Sequence, residues 1–203
     1  MAADRVYPTH IVIPNVLSAE EIETFCRIGK ERGVRTDRGG GVGCTVGFPP
    51  SNHLDILPIH RKICALVDDI AVSYFGLPAY PSDVGSYQYT DYNEPGDAYG
   101  WHSDVISSEP VKRRLTVCVV LSEMGVDFEG GGFDLTDHSG HATGPNVKEI
   151  YEARKCLSPE ESELLKKPGN AIVFRSDLIH RARPLISGSR KVMVGWFRGP
   201  YPE

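Results

Sequence analysis

Residues 170–199, NAIVFRSDLIHRARPLISGSRKVMVGWFRG, are the stretch that decides the fold class. The stretch contains two short runs rich in β-branched and aromatic residues, AIVF at 171–174 and VMVGWF at 192–197. Asp, Pro, Gly and Ser occur between the two runs. Short apolar runs bounded by turn residues are typical of β-strands. The C-terminal part of the chain is therefore predicted to consist of strands joined by turns.

Four segments upstream have the same character. They are VGSYQYTDY (84–92), AYGWHSDVI (98–106), RRLTVCVVLSE (113–123) and GGGFDLTD (130–137). Several short strands at this spacing predict a sandwich or a barrel. A polar insertion over 137–168 interrupts the series, and its PEESELLKK stretch predicts one helical turn or a loop.

The first 83 residues are predicted to be mainly helical, after a short strand in the HIVI run at 10–13. Ser18 followed by Glu21 is the signature of a capping box, and apolar residues then recur at helical spacing. A second helix is predicted over 55–76. Between the helices, residues 35–51 are rich in Gly and Pro and predict a loop or an irregular hairpin. A mobile lid and an ordinary connection are both open readings of that segment.

Composition limits the class of protein. A chain of 203 residues predicts one domain, 1–203, with a helical support region at 1–83 and a strand-rich core at 84–203. A net charge of −5 gives no sign of a nucleic-acid or membrane partner. The five cysteines are odd in number, widely spaced and without a C-x-x-C motif, and the N-terminus lacks a signal-peptide pattern. A reduced, cytoplasmic protein is expected.

The segment YGWHSD, residues 99–104, contains the first candidate functional pair. In a strand, residues two apart point to the same face, so His102 and Asp104 are expected to project together. One imidazole and one carboxylate form part of a transition-metal site. A second histidine would complete the two-histidine, one-carboxylate set of non-haem Fe(II) oxygenases.

Seven histidines are available for that third position. Three lie in the N-terminal helical part and are expected to be surface or capping residues: His10, His53 and His60. His138 and His141 belong to a polar loop, where solvation is the simpler reading. His180 lies between two predicted strands and is the best candidate for the third ligand.

The last predicted strand contains an arginine on an apolar face. Strand alternation groups Arg190 with Val192, Val194 and Trp196, and this face is predicted to be a core face. A buried guanidinium is costly unless it is paired, and its planar fork fits a carboxylate. The carboxylate of a ligand and a structural salt bridge are both open explanations.

Residues 84–200 resemble the catalytic core of iron- and 2-oxoglutarate-dependent dioxygenases, in the prolyl-4-hydroxylase-like branch. That family has an H-x-D motif, a distal histidine, a basic residue ten positions later and often a tryptophan beyond it. Here the matching residues are His102 with Asp104, His180, Arg190 and Trp196. The resemblance implies a double-stranded β-helix, or jelly-roll, core packed by N-terminal α-helices.

The resemblance also implies a role for each matching residue. Fe(II) would be held by His102, Asp104 and His180, and Arg190 would pair with the distal carboxylate of the cosubstrate 2-oxoglutarate. O2 would be the third reactant. Relatives that halogenate lack the carboxylate ligand, so the presence of Asp104 indicates hydroxylation.

Further contacts to 2-oxoglutarate are implied for three residues. Thr116 matches a threonine that hydrogen-bonds the cosubstrate, and Trp196 matches a residue that lines the same pocket. Tyr92 matches a tyrosine that contacts 2-oxoglutarate, with Tyr89 and Tyr99 as alternatives because the spacing to His102 differs by one residue.

The activity implied is hydroxylation of an unactivated C–H bond in an amino acid, an amino-acid-derived metabolite or a prolyl peptide, with release of succinate and CO2. The alternative is a non-catalytic jelly-roll protein that binds a metal or ligand or acts as a sensor. A zinc hydrolase fits less well, because the chain lacks H-E-x-x-H and gives Arg190 no role.

The residues that would contact the substrate are less clearly marked. Arg35 and Arg38 in the 35–51 segment and Asp134 on the glycine-rich strand are candidates. Arginines in such a segment are more often only solvated. The expected partner is a small molecule or a peptide.

Overall fold

A computed structural model of the chain describes residues 8–38, 42–77, 85–105, 111–140 and 146–199. The helices are α1 Ala19–Glu31, α2 Leu57–Ala71, α3 Val147–Ala153 and α4 Pro159–Leu164. The strands are β1 His10–Ile13, β2 Val34–Arg38, β3 Val42–Gly47, β4 Gln88–Tyr92, β5 Tyr99–His102, β6 Lys112–Val120, β7 Phe128–Gly130, β8 Phe133–Ser139, β9 Ala171–Arg175, β10 Leu178–Ala182, β11 Leu185–Gly188 and β12 Arg190–Gly199.

Two facing sheets form the double-stranded β-helix that the resemblance predicted. The major sheet has seven strands in the order β1-β9-β6-β12-β4-β3-β2, and the minor sheet has three in the order β5-β10-β8. Strands β11 and β7 form a separate two-stranded ladder. Neighbours in all these ladders run antiparallel.

Helices α1 and α2 cover the outer face of the major sheet. The predicted capping box begins α1, where Ser18 accepts from the Glu21 backbone and the Glu21 side chain accepts from the Ser18 backbone. Phe25 of α1 and Ile63 of α2 are fully buried in the core that these helices share with the sheet. This layer makes the major sheet a rigid base for the side chains on its other face.

Strand β12 shows how one strand serves both layers. Met193 and Phe197 point into the core beneath the helices. Arg190, Val192 and Trp196 point the other way and line a cavity between the sheets. The alternation was predicted correctly, but the face with the arginine is the cavity face, and the helix-facing core lies on the opposite side of the strand.

The N-terminal region contributes strands as well as helices. Strand β1 pairs with β9 at one edge of the major sheet, and the hairpin β2–β3 extends the other edge next to β4. Residues 35–51 are therefore largely a regular hairpin. Residues 39–41 and the predicted boundary near residue 83 lie outside the described residues.

The polar insertion contains more helix than its composition predicted. Helix α3 follows residue 146, and α4 begins with a second capping box between Ser158 and Glu161. Strands β7, β10 and β11 were not predicted, because each is short and includes polar or turn residues.

In the part of the chain that the structure describes, no helix is both long and apolar enough to cross a bilayer.

Candidate active site

Two histidines meet on the minor sheet. His102 is the last residue of β5, and the antiparallel pairing places it directly opposite His180 of β10. Opposed residues of an antiparallel pair share a face. Their ring centroids are accordingly 4.2 Å apart.

Asp104 completes the cluster from outside the strand. Strand β5 ends at His102, so the strand period that predicted a shared face does not extend to Asp104. Its backbone N–H instead donates to the carbonyl of Ser176 at 2.9 Å. Its carboxylate oxygens lie 3.7 Å from His102 Nε2 and 3.6 Å from His180 Nε2. The ligand atoms of all three residues lie within 4.8 Å of one another.

The ring nitrogens of both histidines are oriented for metal binding. Nδ1 of His102 is 2.8 Å from the Gly100 carbonyl, and Nδ1 of His180 is 3.0 Å from the Leu178 carbonyl. Because a carbonyl only accepts, Nδ1 of each ring is the hydrogen-bond donor. Nε2 of each ring faces the Asp104 carboxylate and is the nitrogen that would bind a metal.

The Asp104 carboxylate is almost fully buried and ionised. Burial alone would raise its pKa, but His180, His102 and a hydrogen bond from Thr116 outweigh that effect and hold the pKa below its usual value. Thr116 Oγ1 donates to Oδ2 of Asp104 at 2.7 Å. The Thr116 hydroxyl is therefore bonded directly to the candidate metal ligand Asp104.

A cavity of about 320 Å³ lies between the two sheets and opens on this cluster. Its walls come from β4, β6, β9 and β12 of the major sheet and β5, β8 and β10 of the minor sheet. The sequence-predicted site residues all contribute to the lining: Tyr92, His102, Asp104, Thr116, His180, Arg190 and Trp196.

Arg190 supplies the cationic part of the cavity. Arg190 is 7% exposed, and its side chain makes no ion pair or hydrogen bond with any described residue. The guanidinium lies 5.1 Å from the centroid of the Tyr92 ring, on the neighbouring strand. Burial raises the pKa of the Tyr92 hydroxyl despite this cation, so the phenol stays protonated as a hydrogen-bond donor.

The glycine-rich segment makes room for this arginine. A Cβ on Gly131 would lie 2.8 Å from Cδ of Arg190, and Gly131 has φ +60°. A side chain at this position would be strained and would collide with Arg190. The sequence showed a run of glycines there, but the arginine they accommodate is about sixty positions away.

The aromatic residues around the motif take different positions. Tyr89 is fully buried on the helix side and donates to Asp91, so it does not line the cavity. Tyr99 lines it, with its ring 3.9 Å from that of His102. Trp101 lies outside, against Tyr151 and Arg181.

Trp196 forms part of the cavity wall near the cluster. The Arg113 guanidinium lies 3.9 Å above its ring centroid. Its indole Nε1 is buried beside the Asp104 carboxylate, and this contact helps to lower the pKa of Asp104.

Two residues that the sequence offered as substrate contacts form ion pairs away from the cavity. Both terminal nitrogens of Arg35 donate to Asp97 at 2.6 Å, and one also contacts Glu94. Asp134 lies on the outer side of the minor sheet, where it pairs with Arg181 and Lys155. Neither side chain lines the cavity. The Arg38 side chain lies outside the described residues.

The remaining histidines do not join the site. His10 is 10% exposed and pairs with Glu161, and His60 contacts the Tyr87 hydroxyl, so neither is the surface residue expected. His138 lies near Tyr151, and His141 is outside the described residues. Within the described ranges, only one group of three His, Cys, Asp or Glu side chains converges as metal ligands do.

The donor set fits Fe(II). Two imidazoles and one carboxylate that converge within 4.8 Å match the ligand types of a mononuclear non-haem iron site, and the adjoining buried cation fits a carboxylate cosubstrate. A family model for the 2OG-Fe(II) oxygenase superfamily matches residues 87–198. The chain belongs to this superfamily. Its cofactors are accordingly Fe(II), 2-oxoglutarate and O2.

Curated relatives of this oxygenase include PKHD-type hydroxylases. One from a Synechococcus species is 32% identical over 104 residues, which is 51% of this chain and 37% of the relative. One from Prochlorococcus marinus is 26% identical over 141 residues, which is 70% of this chain and 52% of the relative. The chain thus matches about half or less of these relatives' length.

Solved structures share the fold of this oxygenase across different reactions. A Pseudomonas putida prolyl-4-hydroxylase superposes with a TM-score of 0.67 at 16% identity, covering 95% of this chain and 94% of that one. The non-heme alpha ketoglutarate dependent epimerase SnoN from nogalamycin biosynthesis gives 0.68 at 16% identity, covering 94% and 78%. The fold is therefore common to a hydroxylase and an epimerase and does not select the reaction.

Proposed function

We propose that this oxygenase hydroxylates an unactivated C–H bond of an amino acid, an amino-acid-derived metabolite or a prolyl peptide. In the reaction one oxygen atom of O2 enters the C–H bond and the other enters succinate, while 2-oxoglutarate loses CO2. Fe(II) would be held by His102, Asp104 and His180. The names of the PKHD-type relatives support a hydroxylation.

The observation that carries the proposal is the pairing of a metal-type donor set with an unpaired buried arginine in one cavity. Arg190 would bind the distal carboxylate of 2-oxoglutarate, which explains why no described acidic side chain neutralises it. The Tyr92 ring lies beside that guanidinium, and its protonated hydroxyl can donate to the same carboxylate.

The protein's own contribution is placement and exclusion of water. The bound metal and 2-oxoglutarate supply the oxidising chemistry. The wall formed by Val192, Val194 and Trp196 is largely apolar and limits the solvent around the reacting atoms. Phe48, Gln88 and Thr90 also line the cavity, and the substrate would lie against residues of this set.

Anaerobic addition of Fe(II) and 2-oxoglutarate to the purified protein tests the proposal. A metal-to-ligand charge-transfer band is expected, and succinate should form when oxygen and a substrate are admitted. A panel of amino acids and proline-containing peptides, scored for a mass gain of one oxygen atom, then identifies the substrate class.

Asp104→Ala is the matched negative variant, because it removes one ligand and is expected to abolish both the band and succinate formation. Full activity in Asp104→Ala would rule out the assigned metal ligands. Absence of the band and of succinate in the wild-type protein would favour the non-catalytic binding or sensor protein.

A further inference from the structure

Ser176 lies behind the three candidate metal ligands, at a point where three segments of the chain meet. It is completely buried in the turn between β9 and β10. Its carbonyl accepts from the backbone N–H of Asp104, and its own N–H donates to the carbonyl of Arg114 on β6, both at 2.9 Å. Its hydroxyl lies 2.9 Å from Oγ1 of Thr116. Nothing in the sequence marks this serine, because its partners lie about sixty and seventy positions away.

The direction of the hydroxyl chain follows from proton counting. Thr116 has one hydroxyl proton, and Thr116 Oγ1 donates it to Oδ2 of Asp104. Ser176 must therefore donate its proton to a lone pair of Thr116. The chain runs from Ser176 to Thr116 to Asp104 Oδ2, and in a buried site each bond strengthens the next.

We infer that Ser176 is a positioning residue for the metal-binding carboxylate. This inference rests on the proposed assignment of Asp104 as a metal ligand. Ser176 holds the aspartate at two points, the backbone directly and the side chain through Thr116. Because Asp104 lies beyond the end of β5, no ladder of strand hydrogen bonds fixes it. The two contacts to Ser176 replace that ladder and set the orientation in which the carboxylate meets a metal.

The test is a Co(II) titration of the metal-free protein, followed by the visible absorption of the bound ion. Ser176→Ala removes the donor to Thr116, and we expect about 10-fold weaker Co(II) binding with an altered spectrum. Ser176→Cys fills the same space with a poor hydrogen-bond donor and should show the same change in direction. It also provides a result if the alanine variant folds badly.

Ser122→Ala is the matched control. Ser122 is equally buried, and its hydroxyl accepts from the Lys191 backbone without contacting a metal-binding residue. This variant should lose a comparable amount of stability while its Co(II) affinity stays within about twofold of wild type. Wild-type affinity in both Ser176 variants, or an equal loss in Ser122→Ala, would overturn the inference.

A double-mutant cycle with Thr116→Val identifies the route. If Ser176 acts through Thr116, the double variant should bind Co(II) no more weakly than Thr116→Val alone. Additive losses would show that Ser176 does not act through Thr116. A wild-type protein that binds no Co(II) would refute the proposed function itself, whereas binding that is insensitive to Ser176 refutes only this inference.

Discussion

At the scale of single residues, Arg190 is the side chain that most clearly requires a ligand. An arginine that is 7% exposed and lacks an acidic partner among the described residues is costly in a protein on its own. The site lowers that cost in part through the Tyr92 ring. The rest is expected to come from the carboxylate of the cosubstrate.

Replacing Arg190 with alanine should separate cosubstrate binding from metal binding. We expect the 2-oxoglutarate concentration for half-maximal succinate formation to rise at least about 10-fold, because a charge-assisted pair is lost. Arg190→Lys keeps the charge but not the planar guanidinium, so its half-maximal 2-oxoglutarate concentration should fall between those of wild type and Arg190→Ala. Co(II) affinity should be unchanged, and normal cosubstrate dependence in Arg190→Ala would mean that the arginine has a purely structural role.

Gly131 should affect the binding of 2-oxoglutarate indirectly, through the position of Arg190. Gly131→Ala places a methyl group 2.8 Å from Cδ of Arg190, so the arginine must move and the 2-oxoglutarate requirement should rise several-fold. Gly125→Ala is the control, since Gly125 also has a positive φ, +84°, but a Cβ there meets nothing within 4 Å. Both variants carry the backbone strain, about 1 kcal/mol. Equal kinetics in the two would contradict the steric explanation.

At the scale of elements, an ion pair holds the β2–β3 hairpin against the turn between β4 and β5. Arg35 of β2 makes a bidentate pair with Asp97, which also accepts from the backbone N–H groups of Asn93 and Glu94. A side chain on Gly43 of β3 would collide with Asp97. The arginine of this segment therefore stabilises the wall of the cavity.

Arg35→Met should destabilise the protein in a pH-dependent way. Burial raises the pKa of Asp97, but the Arg35 hydrogen bonds and the backbone donors outweigh it and lower the pKa overall. The stabilisation is therefore present at neutral pH, above the ordinary carboxyl pKa of about 4, and is lost as the pH falls through the lower folded value.

The expected loss at pH 7 is about 1–2 kcal/mol of unfolding free energy, measured by urea denaturation. The difference between wild type and variant should shrink in acid. A difference that stays constant from pH 7 to pH 3 would assign the effect to packing.

At the scale of the whole molecule, the site joins the two sheets. The histidines belong to the minor sheet, Arg190 and Thr116 belong to the major sheet, and Asp104 lies in the connection between β5 and β6. A metal bound to the two histidines and Asp104, together with a cosubstrate bound to Arg190, would link the minor sheet to the major sheet. Ligand binding should therefore stabilise the fold as a unit.

Thermal unfolding measures this linkage. Mn(II) at 100 times its dissociation constant should stabilise the protein by about 2.7 kcal/mol, which raises the Tm by roughly 5–10 °C. Adding 2-oxoglutarate should raise it further in wild type and not in Arg190→Ala. Asp104→Ala should lose the Mn(II) increment. A 2-oxoglutarate increment in Arg190→Ala equal to that in wild type would remove the proposed cosubstrate contact.

The sequence by itself determined the local features of this oxygenase. Alternation assigned the two faces of β12, the capping box placed the start of α1, and the ordered set from His102 to Trp196 selected the superfamily. These features depend on spacing along the chain, which strand and helix periods translate directly into direction. His180 was favoured over the other histidines by its position between two predicted strands and by the resemblance to the superfamily.

Tertiary structure alone decided which of the candidate side chains share the cavity. It took Arg35 and Asp134 out of it by pairing them with other charges, and it separated Tyr92 and Tyr99 from Tyr89. Asp104 lies beyond its strand and is held by Ser176, which no period along the chain predicts. The physical reason is that hydrogen bonds and ion pairs between distant segments depend on how the two sheets face each other, and local spacing carries no information about that contact.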